Sequence, residues 1–265
     1  MSYKDKNLTL LITIQIDNTD KPMHIFEELD FQETPLGEIS LRKRSEPRLD
    51  NIIIYEVKMN EEFLMSSLFV EAELQLAHLA LAAIADVFIE ELNVIVGGLG
   101  LGYTAVAALE NPTVASLKVI DVMPAVIDWH RRGLVPMGET LIGDSRCELV
   151  LADFFALATA DTQGFGKANQ DQKVHAVLLD IDHSPSFWLN EGNGAFYTEK
   201  GLQSMADKIL PDGVFGLWSD EKPDDRFMQL LEKVFTSVES HIVTFPNPYT
   251  QQESTNTVYL GFINH

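Results

Sequence analysis

A glycine-rich loop and four acidic residues carry the chemistry that this sequence offers. The loop, residues 94–109, reads VIVGGLGLGYTAVAAL and places Gly98, Gly100 and Gly102 two residues apart. Glycines between an apolar strand and a helix let a ligand approach the backbone and bind at the helix N-terminus. The spacing is not the G-x-G-x-x-G of dinucleotide sites, because Tyr103 stands where the third glycine belongs. The loop therefore predicts a binding site of another kind, with a close strand–helix crossing as the alternative.

Two of the acids follow the next two apolar runs. Asp121 comes nineteen residues after Gly102, a distance at which a carboxylate can accept both hydroxyls of a ribose. Asp153 and Phe154 follow the third run, where an acid can bind an adenine amino group and an aromatic ring can cover the base. The alternatives are a helix cap near Pro124 for Asp121 and a loop-entry residue for Asp153.

The other two acids lie in the segment HAVLLDIDHSP. Asp180, Asp182 and His183 follow an apolar strand, and the carboxyl ends of parallel strands are where open α/β sheets bind ligands. Two close acids in partly buried surroundings can hold or deprotonate an amine. These residues could instead form a strand-end turn before Pro185. The chain has no G-x-S-x-G motif, so we do not expect a serine hydrolase.

Two kinds of sequence pattern predict the strands and helices that position these residues. Runs 8–16, 36–44 and 51–57 are short, β-rich and separated by turn residues, which predicts an N-terminal β-rich unit over residues 1–69. From residue 70 the apolar spacing becomes helical, and strand-like runs then alternate with helical ones. We predict a doubly wound, mostly parallel seven-stranded sheet over residues 70–265, covered by helices on both faces.

The charge of the chain limits its partners. Its 265 residues carry 40 Asp and Glu against 19 Lys and Arg, a net charge of −21. So negative a field repels nucleic acid and anionic membranes and favours cationic partners. Cys147 is the one cysteine, and no segment predicts a membrane span or a targeting signal. We expect a cytoplasmic protein that acts on a small molecule.

Taken together, the motifs resemble a known family. G-x-G-x-G resembles motif I of the class I S-adenosylmethionine (SAM)-dependent transferases. The segments TPLGEISL, VIVGGLGLG, VIDVMPAVID, GDSRCELVLADFF and HAVLLDIDHSP, with the run from FYTEKGL to GLWS, resemble the spermidine synthase family, which has the same fold. The resemblance extends over most of the chain.

The resemblance implies aminopropyl transfer from decarboxylated SAM to a diamine. Asp180 then matches the base that deprotonates the attacking amine, and Asp182 the second acid of the D-x-x-D-P motif, displaced here. Asp121 matches the ribose acid and Asp153 the adenine acid. Glu71, in Phe-Val-Glu at 69–71, matches the end of the segment that helps to bind the diamine, and His183 lies beside the acids. We expect no metal, and the resemblance implies a tendency to form homodimers.

The sequence departs from the family at informative positions. The family loop carries an aspartate, which binds the free amine of decarboxylated SAM and repels a carboxylate, where this chain has Gly100. Met123 replaces a second acid after the ribose residue, and Phe69 lacks the hydroxyl of the family's tyrosine. Selection against ordinary SAM is therefore expected to be lost.

Three functions stay open at this stage. The first is an aminopropyltransferase-like enzyme of altered specificity, using SAM or decarboxylated SAM and a small amine such as a polyamine. The second is a SAM-dependent methyltransferase, either metal-free or with Mg²⁺ held by Asp180 and Asp220 near Asp182. The third is a non-catalytic relative that binds a nucleoside or a polyamine. The sequence does not name the acceptor.

Overall fold

The computed structural model describes residues 24–60, 62–88, 91–165 and 172–264. These residues form two sheets, one of four strands and one of seven. The predicted strand at 8–16 lies outside the described residues. No described helix is both long enough and apolar enough to cross a bilayer.

The smaller sheet is antiparallel throughout. Its strands are β1 (Phe26–Thr34), β2 (Gly37–Glu46), β3 (Ile52–Met59) and β4 (Glu62–Ser66), in that spatial order. The predicted runs 36–44 and 51–57 correspond to β2 and β3. Strands β1 and β4 were not predicted, since acidic residues interrupt the apolar residues of the largely exposed β1, and β4 has only five residues.

Helix α1 (Glu71–Ala83) leads from the small sheet to the large one. The predicted boundary between residues 69 and 70 falls between β4 and this helix. Its apolar stripe of Leu76, Ala77, Ala80 and Leu81 is fully buried in the core against the large sheet. The helix ends at Ala83, although the apolar pattern continues to Phe88.

The larger sheet confirms the predicted seven-stranded, mostly parallel architecture. Its order is β10-β11-β9-β8-β5-β6-β7, and only β11 pairs antiparallel to its neighbours. The strands are β5 (Leu92–Gly97), β6 (Val114–Asp121), β7 (Cys147–Leu151), β8 (Val174–Leu179), β9 (Ile209–Ser219), β10 (Ser237–Asn247) and β11 (Gln252–Phe262).

Helices cover both faces of this sheet and enclose two apolar clusters. Besides α1 they are α2 (Tyr103–Glu110), α3 (Pro124–Arg131), α4 (Gly138–Gly143), α5 (Phe154–Thr159), α6 (Glu199–Ala206) and α7 (Asp225–Leu231). The polar segment 159–173 is anchored in its described first part. There the buried Lys208 ammonium donates to the carbonyls of Ala160 and Thr162, and Phe165 stacks on Phe154.

Candidate functional site

The glycine loop connects β5 to α2 in a conformation that side chains disfavour. Gly98, Gly100 and Gly102 have φ angles of +95°, +48° and +94°. A Cβ atom at Gly98 would overlap the carbonyl oxygen of Asp180, so only glycine fits there. The positive φ angles at all three positions thus explain the spacing of the glycines. The absence of a side chain at Gly98 lets the loop pack against the end of β8.

Asp121, at the end of β6, holds this loop in place. Its carboxylate accepts hydrogen bonds from the backbone N–H of Leu99 at 2.9 Å and of Met123 at 2.7 Å. Burial raises the pKa of Asp121 above its usual value. The backbone N–H of Gly100 also faces this carboxylate, which has about four acceptor positions, so the side chain keeps the capacity to accept from a ligand hydroxyl.

Asp153 and Phe154 begin α5 beside the loop. Asp153 caps the helix, accepting from the backbone N–H of Ala156 at 3.1 Å through one oxygen. The ring of Phe154 lies under Gly97, where a Cβ atom would collide with it. Both residues line the cleft described next, and Phe155 adds a second ring to its wall.

A cleft of about 240 Å³, called here the main cleft, lies over the loop. Asp121, Asp153 and Asp180 line one side of it. The small sheet supplies an apolar wall on the other side, from the side chains of Leu36, Ile39, Val57, Met59, Leu64 and Met65. The cleft therefore has polar groups on the side of the large sheet and an apolar cover from the N-terminal unit.

A second, smaller cavity of about 80 Å³ adjoins the main cleft, and we call it the side pocket. Glu73, Tyr103, Asp180, His183 and Trp218 line it. Gly100, Asp180 and four apolar residues line both cavities. No lysine or arginine is among the described residues that line either one, so the site is strongly anionic.

Asp180 stands on the boundary between the two cavities. One of its oxygens accepts a hydrogen bond from the hydroxyl of Thr104, in the first turn of α2, at 2.7 Å. Burial raises the pKa of Asp180 to about 6, which the bond from Thr104 only partly offsets. A carboxylate of this kind is ionised at neutral pH and is a stronger base than an exposed aspartate.

Sequence reasoning missed Glu73, the second acid of the side pocket. Burial and the nearby charge of Asp180 raise the pKa of Glu73 to about 8. The signal was available, because Glu73 lies three, four and seven residues before Leu76, Ala77 and Ala80 and so shares their apolar helix face. Glu71, which was predicted to bind substrate, is exposed and lines neither cavity.

The structure separates Asp182 from Asp180. Asp182 is only 3% exposed and lines neither cavity. Its carboxylate accepts from the backbone N–H of Leu189 at 2.7 Å, the amide of Asn193 at 2.9 Å and the hydroxyl of Tyr197 at 2.9 Å. These bonds tie β8 to the segment that follows it and leave Asp182 turned away from the predicted chemistry.

His183 does reach the side pocket. Its Nδ1 lies 3.6 Å from a carboxylate oxygen of Asp220, and its ring stacks on Phe187. Within the described part of the chain, no three His, Cys, Asp or Glu side chains form a group that could hold a metal ion. The carboxylates of the Mg²⁺ alternative, Asp180, Asp182 and Asp220, do not converge.

Comparison with solved structures finds the same fold in enzymes. A spermidine synthase in complex with the transition state analogue AdoDATO matches with a TM-score of 0.66 and 16% identity, over 89% of this chain and 73% of that one. Spermidine synthase from Thermotoga maritima matches with a TM-score of 0.64 and 16% identity, over 89% and 72%. These matches agree with the predicted class I methyltransferase-like fold.

A structure of human methyltransferase-like protein 13 in complex with SAH has a TM-score of 0.48 and 17% identity, over 73% of this chain and 79% of that one. No protein-family model matches the sequence, and neither does any curated protein.

Proposed function

We propose that this protein transfers an alkyl group from a SAM-type sulfonium nucleoside to a small amine. The observation that carries the proposal is the position of Asp180, a carboxylate of raised basicity on the boundary between the main cleft and the side pocket. A base at that boundary faces an acceptor on one side and the donor on the other. The likeness in fold to two spermidine synthases supports the same reaction class.

The main cleft has the groups that a sulfonium nucleoside needs. The glycine loop leaves room for the ligand beside its backbone, and Asp121 has lone pairs for the ribose hydroxyls. Asp153 caps α5 through one oxygen and has the other for an adenine amino group, with Phe155 nearby for the ring. The anionic lining favours a ligand of positive charge.

The proposed reaction requires the protein to remove one proton from the acceptor amine. An amine with a pKa near 10 arrives as an ammonium ion, and Asp180 takes one proton to free its lone pair. The nitrogen then bonds to the carbon beside the sulfonium, the carbon–sulfur bond breaks, and its electron pair returns to sulfur. The products are a neutral thioether and an alkylated ammonium ion, so charge and atoms balance.

One observation favours a second candidate, a SAM-dependent methyltransferase. Gly100 brings no carboxylate to the boundary of the two cavities, and Met65 occupies the space beside it. Without that negative charge, the loop does not repel the carboxylate of SAM. The same site could then transfer a methyl group to an amine, leaving the base chemistry of Asp180 unchanged.

Calorimetric titration with methylthioadenosine, SAM and decarboxylated SAM tests the proposal. We expect all three to bind, and mass spectrometry of reactions with a panel of primary amines to show either a methylated or an aminopropylated product. The mass added to the amine distinguishes the two candidates. Absence of binding by all three nucleosides would overturn both and favour a non-catalytic relative.

A further inference from the structure

Thr104 contacts the proposed base, yet the proposed function gives it no role. It is 3% exposed and lies in the first turn of α2, two residues after the last loop glycine. Its hydroxyl donates to Oδ2 of Asp180 at 2.7 Å, although the two residues are 76 positions apart in the chain. No other side chain among the described residues donates a hydrogen bond to this carboxylate.

The start of α2 determines what the Thr104 hydroxyl can bind. Inside a helix, a threonine hydroxyl often bonds the carbonyl three or four residues earlier, but for Thr104 those residues belong to the glycine loop. Gly102 fixes the turn, since its N–H donates to the carbonyl of Leu99 at 2.8 Å and its own carbonyl accepts from Val106 at 3.0 Å. The hydroxyl is thus available for Asp180, and the branched Cβ of Thr104 restricts its rotation.

The bond from Thr104 makes the two oxygens of Asp180 unequal. Oδ2 is occupied by the hydroxyl, whereas no hydrogen bond from the described part of the chain reaches Oδ1. Asp180 is half-buried and lines both the main cleft and the side pocket. A carboxylate that is held at one oxygen keeps the other oxygen available for a ligand.

We infer that Thr104 is a positioning residue, whose hydroxyl fixes Oδ2 of Asp180 and leaves Oδ1 as the oxygen that takes the proton from the acceptor. This inference rests on the proposed function and concerns how its base is held. The proton passes from the ammonium nitrogen to Oδ1 while the bond at Oδ2 is kept. Ammonium and carboxylate thereby become an amine and a carboxylic acid.

The same bond sets the pH at which the base ionises. Burial raises the pKa of Asp180 to about 6, and the hydrogen bond from Thr104 opposes that rise because it favours the ionised form. Loss of the hydroxyl should raise the pKa by about one unit more, as expected for a hydrogen bond to a charged group. A smaller fraction of Asp180 would then be ionised at pH 6 to 7.

Other titratable groups share the two cavities with Asp180. They are Glu73 of α1, Tyr103 of α2 and His183 after β8 in the side pocket, and Asp121 and Asp153 in the main cleft. Burial and the charge of Asp180 raise the pKa of Glu73 to about 8, so Glu73 is mostly protonated where Asp180 titrates. All these groups remain in a Thr104 variant, so a difference from wild type reports on the Thr104 bond.

Nuclear magnetic resonance tests the inference on the full-length protein without a ligand. Aspartate carboxyl carbons are labelled with ¹³C, the signal lost in Asp180→Asn identifies Asp180, and its midpoint is measured between pH 5 and 8. Thr104→Val, which keeps the shape and removes the hydroxyl, should raise this midpoint by about one pH unit. Thr104→Ser, which keeps the hydroxyl, should leave it within a few tenths of a unit.

Turnover gives the second readout, with SAM or decarboxylated SAM as donor and 1,4-diaminobutane as acceptor. Thr104→Val should lower turnover about fivefold or more at pH 6 and least at pH 8, while methylthioadenosine affinity barely changes. Thr104→Ser should recover most of the loss. The matched control is Thr257→Val, since Thr257 is also buried and its hydroxyl makes one hydrogen bond, to the carbonyl of Glu221 at 2.6 Å.

The control should leave the Asp180 midpoint and the pH profile unchanged. An unchanged midpoint in Thr104→Val would overturn the inference, and so would an equal shift in Thr257→Val. If Thr104→Val does not fold, Thr104→Ala also removes the hydroxyl and is held to the same criterion. A loss of turnover of equal size at every pH would make Thr104 a structural residue.

The two proposals fail separately. If Thr104→Val shifts the Asp180 midpoint but wild type transfers no group to any amine, the reaction is wrong and the hold of Thr104 on Asp180 stands. If wild type transfers a group and Thr104→Val changes neither the midpoint nor the pH profile, the reaction stands and Thr104 has no part in it.

Discussion

Asp180 and Asp182 are two residues apart at the same strand end, yet their surroundings are opposite. Asp180 faces two cavities, accepts one side-chain hydrogen bond and shares a pocket with a second acid. Asp182 is buried and accepts from three donors of the chain. The carboxylate of Asp180 therefore has acceptor positions left for a ligand, whereas that of Asp182 is used by hydrogen bonds that stabilise the fold.

This difference teaches how to separate a chemical carboxylate from a structural one. Type and spacing make the two acids equivalent in the sequence, and both were predicted to be catalytic. Their hydrogen-bond partners distinguish them, since a group that must exchange protons with a substrate needs an accessible oxygen. The following predictions test that distinction, beginning with the largest expected effect.

Replacing Asp180 should have the largest effect. Asp180→Asn keeps the shape of the side chain and removes the base, so turnover should fall by roughly 100-fold or more while methylthioadenosine affinity barely changes. Because the pKa of Asp180 is raised to about 6, wild-type turnover should rise from pH 5 to 7 as the base ionises. Steady-state kinetics across this pH range measures both effects.

The matched control is Asp182→Asn, the same change two residues away. It should retain turnover within a few-fold. Normal turnover in Asp180→Asn, or a 100-fold loss in both variants, would remove the contrast between the two acids.

Truncating Asp182 should instead affect stability. Asp182→Ala leaves the buried donors of Leu189, Asn193 and Tyr197 without their acceptor, at a cost of about 2 to 3 kcal/mol in the free energy of unfolding. Chemical denaturation measures this cost, and Asp180→Ala is the comparison. A larger loss of stability in Asp180→Ala than in Asp182→Ala would contradict our assignment of the structural role.

The larger sheet could be predicted because its signals are local. Strands β5 to β8 are short runs rich in apolar residues, each is followed by a helical pattern or a turn, and this alternation indicates the architecture. The three loop glycines were also identifiable, since their spacing reflects φ angles that only glycine adopts easily. Strands β1 and β4 lack a strong local signal in the sequence. They form because of pairing and packing within the small sheet, which local propensity does not report.

The site was less predictable because it depends on contacts between distant segments. The groups that donate hydrogen bonds to Asp182 come seven, eleven and fifteen residues later, and nothing in HAVLLDIDHSP predicts them. Glu73 was passed over in favour of Glu71, the residue that the family motif suggested. The helical phase separates the two residues, since Glu73 shares the face of Leu76 and Ala80 whereas Glu71 is exposed.

Asp121 offers an intermediate case, a carboxylate that supports the fold and has lone pairs left for a ligand. Asp121→Ala should weaken methylthioadenosine binding by about 2 kcal/mol, through lost hydrogen bonds to a charged group and a loosened glycine loop. Calorimetry gives the affinity and thermal unfolding reports the state of the loop. Unchanged nucleoside affinity would show that Asp121 does not bind the nucleoside in the main cleft. Asp121 would then be a structural residue, like Asp182.

The smallest expected effect concerns Gly100, which stands where the family loop carries an aspartate. Gly100→Asp would add a third carboxylate beside Asp180 and should shift the preference between SAM and decarboxylated SAM roughly tenfold towards the decarboxylated form, by repelling the carboxylate of SAM. Aspartate tolerates the φ of +48° better than most residues, but its Cβ atom would lie 2.8 Å from the Met65 sulfur, so this flexible side chain must move.

Gly100→Asn separates charge from crowding at this position, because it has the same shape, the same tolerance of positive φ and no charge. If repulsion by a carboxylate sets donor choice, Asp shifts the preference while Asn weakens both nucleosides equally, and adding Met65→Ala restores affinity to each without changing their ratio. Competitive titration against methylthioadenosine measures that ratio. An equal shift in the Asp and Asn variants would assign donor choice to the packing of Met65, and an acid at the cavity boundary would then matter only where it exchanges a proton, as we propose for Asp180.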